Sequence, residues 1–164
     1  MGLMEQLQER IESNAPTLVS KAIQPTYQWD TAVGYLQHCA DNLAGQPIGI
    51  LEYKLPMADQ IDSVKPVVTY LSENLKEEIL GTDMYVSLTT QNDTKYKSNN
   101  DILLYNVIGY SDFRFAEEQR TVEPGDLLYI PKGTEYSFKP LMARSYLIIS
   151  LAKGRVDEIG RAHV

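Results

Sequence analysis

Cysteine is nearly absent from this 164-residue chain, where Cys39 is the only one. A single thiol excludes an internal disulfide and every multi-cysteine metal site. Histidine is almost as scarce, with only His38 and His163. No apolar run approaches the roughly 20 residues a membrane-spanning helix needs. No basic run of five or more occurs, and the net charge of −7 opposes non-specific nucleic-acid binding, which depends on neutralising phosphates. The start, Met1-Gly2-Leu3-Met4-Glu5-Gln6, carries neither the basic nor the apolar region of a signal peptide. Nucleic acid and membrane are therefore poor partners, and a cytoplasmic location is the default. Internal repeats, low-complexity segments, phosphate loops and nucleophile elbows are also missing.

What is present suits one globular domain with a sizeable core, at 43% hydrophobic and 23% charged residues. Eleven tyrosines stand against one Trp and three Phe. Tyrosine suits half-buried strand positions whose polar tip finds a partner, so many strands are expected.

The first half, residues 1–82, reads as helices with a few strands. Leu3, Leu7 and Ile11 at i, i+4 and i+8 predict an amphipathic helix over residues 3–13, ended by Ser13-Asn14-Ala15-Pro16. Thr17 to Ile23 reads as a strand. Asp30 is a candidate N-cap for a helix bearing Val33, Leu36 and Leu43. His38 and Cys39 lie within it, but adjacent helical positions point about 100° apart and make no common site; a half-buried His and a small buried Cys are expected. Ile48 to Tyr53 reads as a strand and Pro56 to Lys65 as irregular. Pro66 opens a helix with Val67, Tyr70, Leu71, Leu75 and Ile79 on one face, closed by Gly81. Glu73, Lys76, Glu77 and Glu78 form its solvated face.

From residue 83 to 151 the hydrophobic period changes to two and an all-β core is expected. Met84 to Thr90 is a strand, Gln91 to Thr94 a loop, and Tyr96 to Ile108 one long strand region turned by Gly109. Phe113-Arg114-Phe115 is short, Glu117 to Arg120 a polar connection. Then comes Val122-Glu123-Pro124-Gly125-Asp126-Leu127-Leu128-Tyr129-Ile130-Pro131-Lys132-Gly133-Thr134-Glu135-Tyr136. Pro124-Gly125-Asp126 is turn chemistry, Leu127 to Ile130 a buried strand, Pro131 its stop, and Gly133 the next bend. Tyr136 to Phe138 and Arg144 to Leu151 complete the strands. The last seven residues, Glu158-Ile159-Gly160-Arg161-Ala162-His163-Val164, match the translation of a short-read sequencing adapter, so a metagenomic or similar assembly is expected. The native domain is then residues 1–157, residues 158–164 are foreign, and His163 is no ligand.

The stretch around Pro124 to Tyr136, together with Tyr96 to Phe113, resembles the cupin-like JmjC hydroxylases, the family of the asparaginyl hydroxylase of hypoxia signalling. Ala15 to Ile23, then Trp29-Asp30 and Tyr35-Leu36, is similar to that family's opening strand and helix. The resemblance implies a double-stranded β-helix (jelly-roll) barrel with N-terminal helices, and in the family itself Fe(II) and 2-oxoglutarate as cofactors of a dioxygenase. It also implies an iron site of His-x-Asp on one strand and a distant His on another. Matching Gly109 places the first His on Tyr96, the Asp on Ser98 and the co-substrate's lysine on Ser111. Matching Pro131 places the distal His on Tyr136. All three metal ligands and the charge partner are thus replaced, which implies no metal and no cofactor.

Strand alternation turns Tyr96, Ser98, Asn100 and Asn106 inward with Tyr136, and Asp101 and Glu135 outward. The expected pocket is polar and uncharged. It either hydrogen-bonds a neutral ligand or fills itself with tyrosine rings. The leading expectation is a catalytically degenerate barrel that binds a small polar ligand or a protein. The alternatives are an active Fe(II)/2-oxoglutarate hydroxylase with displaced ligands, and a structural or assembly module dimerising through the N-terminal helix or sheet edges.

Overall fold

The computed structural model describes residues 2–39, 53–87, 95–115 and 118–152. Helix α1 (Leu3–Glu12) buries Met4, Leu7 and Ile11, while Leu3 is 48% exposed. Leu7 and Ile11 of the expected row are buried, and Met4 takes the place expected of Leu3. Strand β1 (Thr17–Val19) stops well before Ile23. Lys21 takes a left-handed backbone, φ 50°, and its N–H turns to the Asp126 carboxylate. Helix α2 (Trp29–His38) starts after Gln28, with Asp30 inside the first turn; there the Asp30 carboxylate accepts the Thr31 N–H at 2.9 Å. His38 is exposed rather than half-buried, lying 5.8 Å from the Tyr35 ring. Cys39 is buried at the helix end. The expected strand from Ile48 is described only from Tyr53, in β2 (Tyr53–Leu55). Leu43, Gln91 to Thr94 and His163 lie outside the described residues.

A 3-10 turn, Ala58–Gln60, occupies the stretch expected to be irregular. Helix α3 (Lys65–Asn74) carries Pro66 in its first turn and ends at an extended Leu75. Ile79, Leu80 and Gly81 belong instead to strand β3 (Ile79–Ser87). A helical repeat written in the sequence is overridden here by pairing, because Ile79 lies opposite Leu151 and Thr82 opposite Ile149. The Lys76 N–H is taken by Gln8 Oε1 of α1 at 3.0 Å.

The rest is β4 (Lys95–Lys97), β5 (Asp101–Ile108), β6 (Ser111–Phe115), β7 (Glu118–Val122), β8 (Leu127–Ile130), β9 (Glu135–Pro140) and β10 (Arg144–Leu151). The strand expected from Tyr96 to Ile108 is two strands, broken by residues 98–100. Of the segment expected as a polar connection, Glu118 to Arg120 belong to β7, and Glu117 lies outside the described residues. Among the described residues the strands make a six-stranded sheet, β1-β8-β5-β10-β3-β2, and a four-stranded sheet, β4-β9-β6-β7. No helix among them is long and apolar enough to cross a membrane.

Two cores result from the period-two alternation of the large sheet. One face packs on the helices through Leu7, Ile11, Leu71, Met84, Leu103 and Leu147. The other faces the small sheet through Leu104, Phe113, Leu128, Tyr136, Phe138 and Tyr146. The β5–β6 turn needs Gly109: its φ is +88°, and a Cβ there would lie 2.5 Å from the Ala143 carbonyl oxygen.

The turn before β8 ties the chain's two halves together. Asp126 is 2% exposed. One carboxylate oxygen accepts the Lys21 N–H and the other the Glu123 N–H, each at 2.9 Å. Gly125 donates to the Asn106 carbonyl at 2.8 Å, and its own carbonyl accepts from Ile23. Asp126→Ala would strand two backbone donors and should cost about 2–4 kcal/mol in a urea unfolding titration. A loss below about 1 kcal/mol would contradict this role.

Three phenols in the helix-side core set an alkaline limit. Burial raises the pKa of Tyr27, Tyr105 and Tyr129. Tyr27 shares a hydrogen bond with the Ser145 hydroxyl at 2.7 Å, and Tyr105 donates to the Gln24 carbonyl at 2.8 Å. Because the unfolded chain loses these protons first, stability is fully present below the unfolded phenol pKa of about 10 and falls as pH rises above it. Thermal melts from pH 8 to 11 should show a flat region, then a steep fall accompanied by phenolate absorbance. An undiminished melting temperature at pH 11 would contradict it.

Candidate functional site

Tyr96 on β4 and Tyr136 on β9 are direct cross-strand partners, and such neighbours stand close enough for their side chains to interact. Their rings stack at 5.4 Å with 21° between planes. The contact continues inward. Phe113 lies 5.5 Å from Tyr136 and 5.0 Å from Phe138. Phe138 lies 5.5 Å from Tyr146, which stacks on Tyr85 at 5.0 Å. A chain of rings thus runs across the space between the two sheets, from β4 to β3. These ring contacts are what the ring-filled alternative calls for.

The remaining expected positions separate. Ser98 and Asn100 sit in the turn between β4 and β5, where the Ser98 hydroxyl accepts the Asn100 N–H at 3.1 Å. Asn100 is exposed there and Ser98 half-buried, while Ile102 and Leu104, of the same parity, pack toward the small sheet with Tyr96. Asn106 is buried but donates to the Gly109 carbonyl at 2.7 Å, closing the β5–β6 turn. Asp101 accepts the Lys132 N–H at 2.6 Å, and its strand neighbour two residues on, Leu103, packs in the helix-side core. Glu135 is exposed and 3.7 Å from Lys95.

Ser111 is buried and accepts a hydrogen bond at 2.9 Å from Arg144. Arg144 is fully buried. Its guanidinium carbon lies 4.5 Å from the centre of the Phe138 ring and 4.9 Å from that of Tyr146. The interior expected to be uncharged therefore holds a cation, contributed by β10. Aromatic faces and a hydroxyl offset part of its desolvation. Alternation was the available signal: Arg144, Tyr146 and Ile148 share one side of β10.

Fe(II) is not suited by these residues. Tyr96 and Tyr136 spend their faces on each other, and Ser98 is committed to its turn. Among the described residues no group of three His, Cys, Asp or Glu side chains could hold a metal, and His38 stands on α2. Outside the stack, a surface groove of about 470 Å³ is lined by Lys95, Arg114, Thr134 and Ser137 and reaches Phe115 and Tyr136. It offers two cations, two hydroxyls and the Glu135 carboxylate, which lies 3.7 Å from Lys95.

Tyr136→Ala removes the ring shared by Tyr96, Phe113 and Phe138 and should cost about 3–5 kcal/mol, as for other large aromatic truncations. Ser98→Ala should cost less than about 1 kcal/mol, since only one turn hydrogen bond is lost. Chemical denaturation of both variants checks the contrast, and equal costs would contradict the stack's role.

No family model and no curated protein matches the chain. Solved structures of the Escherichia coli ribosomal oxygenase YcfD do. The complex with cobalt and succinic acid matches at a TM-score of 0.71 and 12% identity, covering 98% of this chain and 54% of that one. The complex with cobalt and 2-oxoglutarate matches at 0.70 and 12%, with the same coverage. A third YcfD structure matches at 0.65 and 13%, covering 90% and 50%. The chain spans about half the length of these proteins, and at such identity the likeness is one of fold. Its architecture is a cupin-like β barrel with N-terminal helices, the fold it shares with these YcfD structures.

Proposed function

We propose that this chain is a catalytically silent cupin-like barrel that acts by binding a protein partner at its surface. The Tyr96–Tyr136 stack carries this reading. Two rings pack face to face at the positions where the resembling family places iron ligands, which supports a reading in which side chains stand in place of the metal. Both residues are strand partners, and separating them would expose aromatic surface on β4 and β9. Exposed Tyr110, Leu141 and Met142 gather at one end of the barrel, joined by the Leu141 N–H to Tyr110 carbonyl bond. An apolar patch of this kind is suited to protein contact.

A second reading has one observation in its favour. The YcfD structures are named with 2-oxoglutarate and succinic acid, and the Arg144–Ser111 pair puts a cation in the interior of this barrel. A small carboxylate ligand held without turnover would use that pair. An active hydroxylase would need metal ligands as well, and the described residues offer no such group.

Metal analysis of protein purified with iron, combined with a 2-oxoglutarate decarboxylation assay, tests the reading. The expected outcome is substoichiometric iron and no succinate above the blank. Stoichiometric iron with decarboxylation would overturn it.

A further inference from the structure

A groove of about 430 Å³ lies on the helix side of the large sheet, away from the ring stack, between α3 and β3. Its lining carries the carboxylates of Asp59, Glu77 and Glu78. Lys76 is there too, but its ammonium lies 3.4 Å from Glu12 of α1. Two polar atoms of the lining are buried and make no hydrogen bond, Glu77 Oε1 and Thr82 Oγ1. Thr82 is only 2% exposed, and alternation turns it to the α3 side with Met84 and Val86. The other Glu77 oxygen accepts from Gln8 at 3.0 Å.

We propose that this groove binds an organic cation, an ammonium or guanidinium on a short apolar stem. Both orphan atoms can accept a hydrogen bond, the Thr82 hydroxyl being able to donate as well, and a buried acceptor without a donor is costly. A ligand bringing only donors satisfies them, and the surrounding carboxylates favour its positive charge while repelling anions. The carboxylates do not converge on one point: among the described residues no group of three could hold a metal ion. Spread acceptors fit a cation with several N–H groups. Leu75 and Ile79 line the same groove, and Leu80 beside them is 47% exposed, giving the stem an apolar wall. Strand β3 adds backbone groups, because β2 pairs with it only from Met84 to Val86.

The cation could be a free diamine-type molecule or an arginine side chain of an extended segment laid along β3. Agmatine and the blocked tripeptide acetyl-Val-Arg-Val-amide present the two sources. Each is titrated into 15N-labelled full chain at low salt, with amide shifts as the readout. Saturable shifts centred on residues 72–82 are expected for at least one probe. Glu77→Gln and Thr82→Val, both close in shape, should each weaken binding about ten-fold, the effect of one charge-assisted hydrogen bond. Glu9→Gln, an equal charge change outside the groove, should leave it unchanged. Agmatine binding alone identifies a free cation; tighter tripeptide binding identifies a peptide side chain. No saturation by either up to about 10 mM, shifts centred elsewhere, or equal binding by both groove variants overturns the proposal.

Discussion

The packing of aromatic rings between two sheets is the constraint on which the rest of this barrel depends. Tyr96, Tyr136, Phe113, Phe138, Tyr146 and Tyr85 touch in sequence, and aromatic pairs contribute about 0.5–1.5 kcal/mol each beyond their area. They come from β4, β9, β6, β10 and β3, so the stack joins both sheets. It also makes a buried cation tolerable. Arg144 needs the faces of Phe138 and Tyr146 and the Ser111 hydroxyl to replace water. Its own position needs Gly109, where any Cβ would lie 3.0 Å from the Arg144 Cβ and closer still to the Ala143 oxygen.

On the other face of the large sheet, different chemistry performs a different task. There the core is mostly aliphatic, and among its phenols Tyr27 and Tyr105 have specific partners. The Pro124-Gly125-Asp126 turn connects this face to the N-terminal segment through a buried carboxylate holding two backbone donors. This framework does not depend on the residues between the sheets, because none of these bonds passes through Tyr96, Ser98 or Tyr136. A barrel can in this way keep its architecture while its interior is repacked.

The turns and strands set by local chemistry were legible in the sequence. Pro124-Gly125-Asp126, Pro131, Gly133 and Gly109 each mark a bend that backbone sterics demand, and β8 and β10 follow from their apolar runs. The cross-strand meeting of Tyr96 and Tyr136 was legible only through the family resemblance, since spacing alone gives no register. What failed depended on distant partners. The helical repeat through Ile79 yields to pairing with β10. Strand β7 has exposed residues at Glu118, Gln119, Arg120 and Thr121, so it lacks a hydrophobic period. The turn at residues 98–100 leaves Asn100 exposed, and its tie to the Gly133 N–H crosses to another strand pair. Arg144 was overlooked because a charged strand end reads as solvated until its aromatic neighbours are in place.

The account rests on side chains occupying the space a metal centre would need. A crystal structure of the protein grown with manganese(II) and 2-oxoglutarate, with anomalous diffraction from the metal, tests this most directly. The account predicts Tyr96 and Tyr136 still stacked and no anomalous peak between the sheets. Rings swung apart around a metal peak would contradict it.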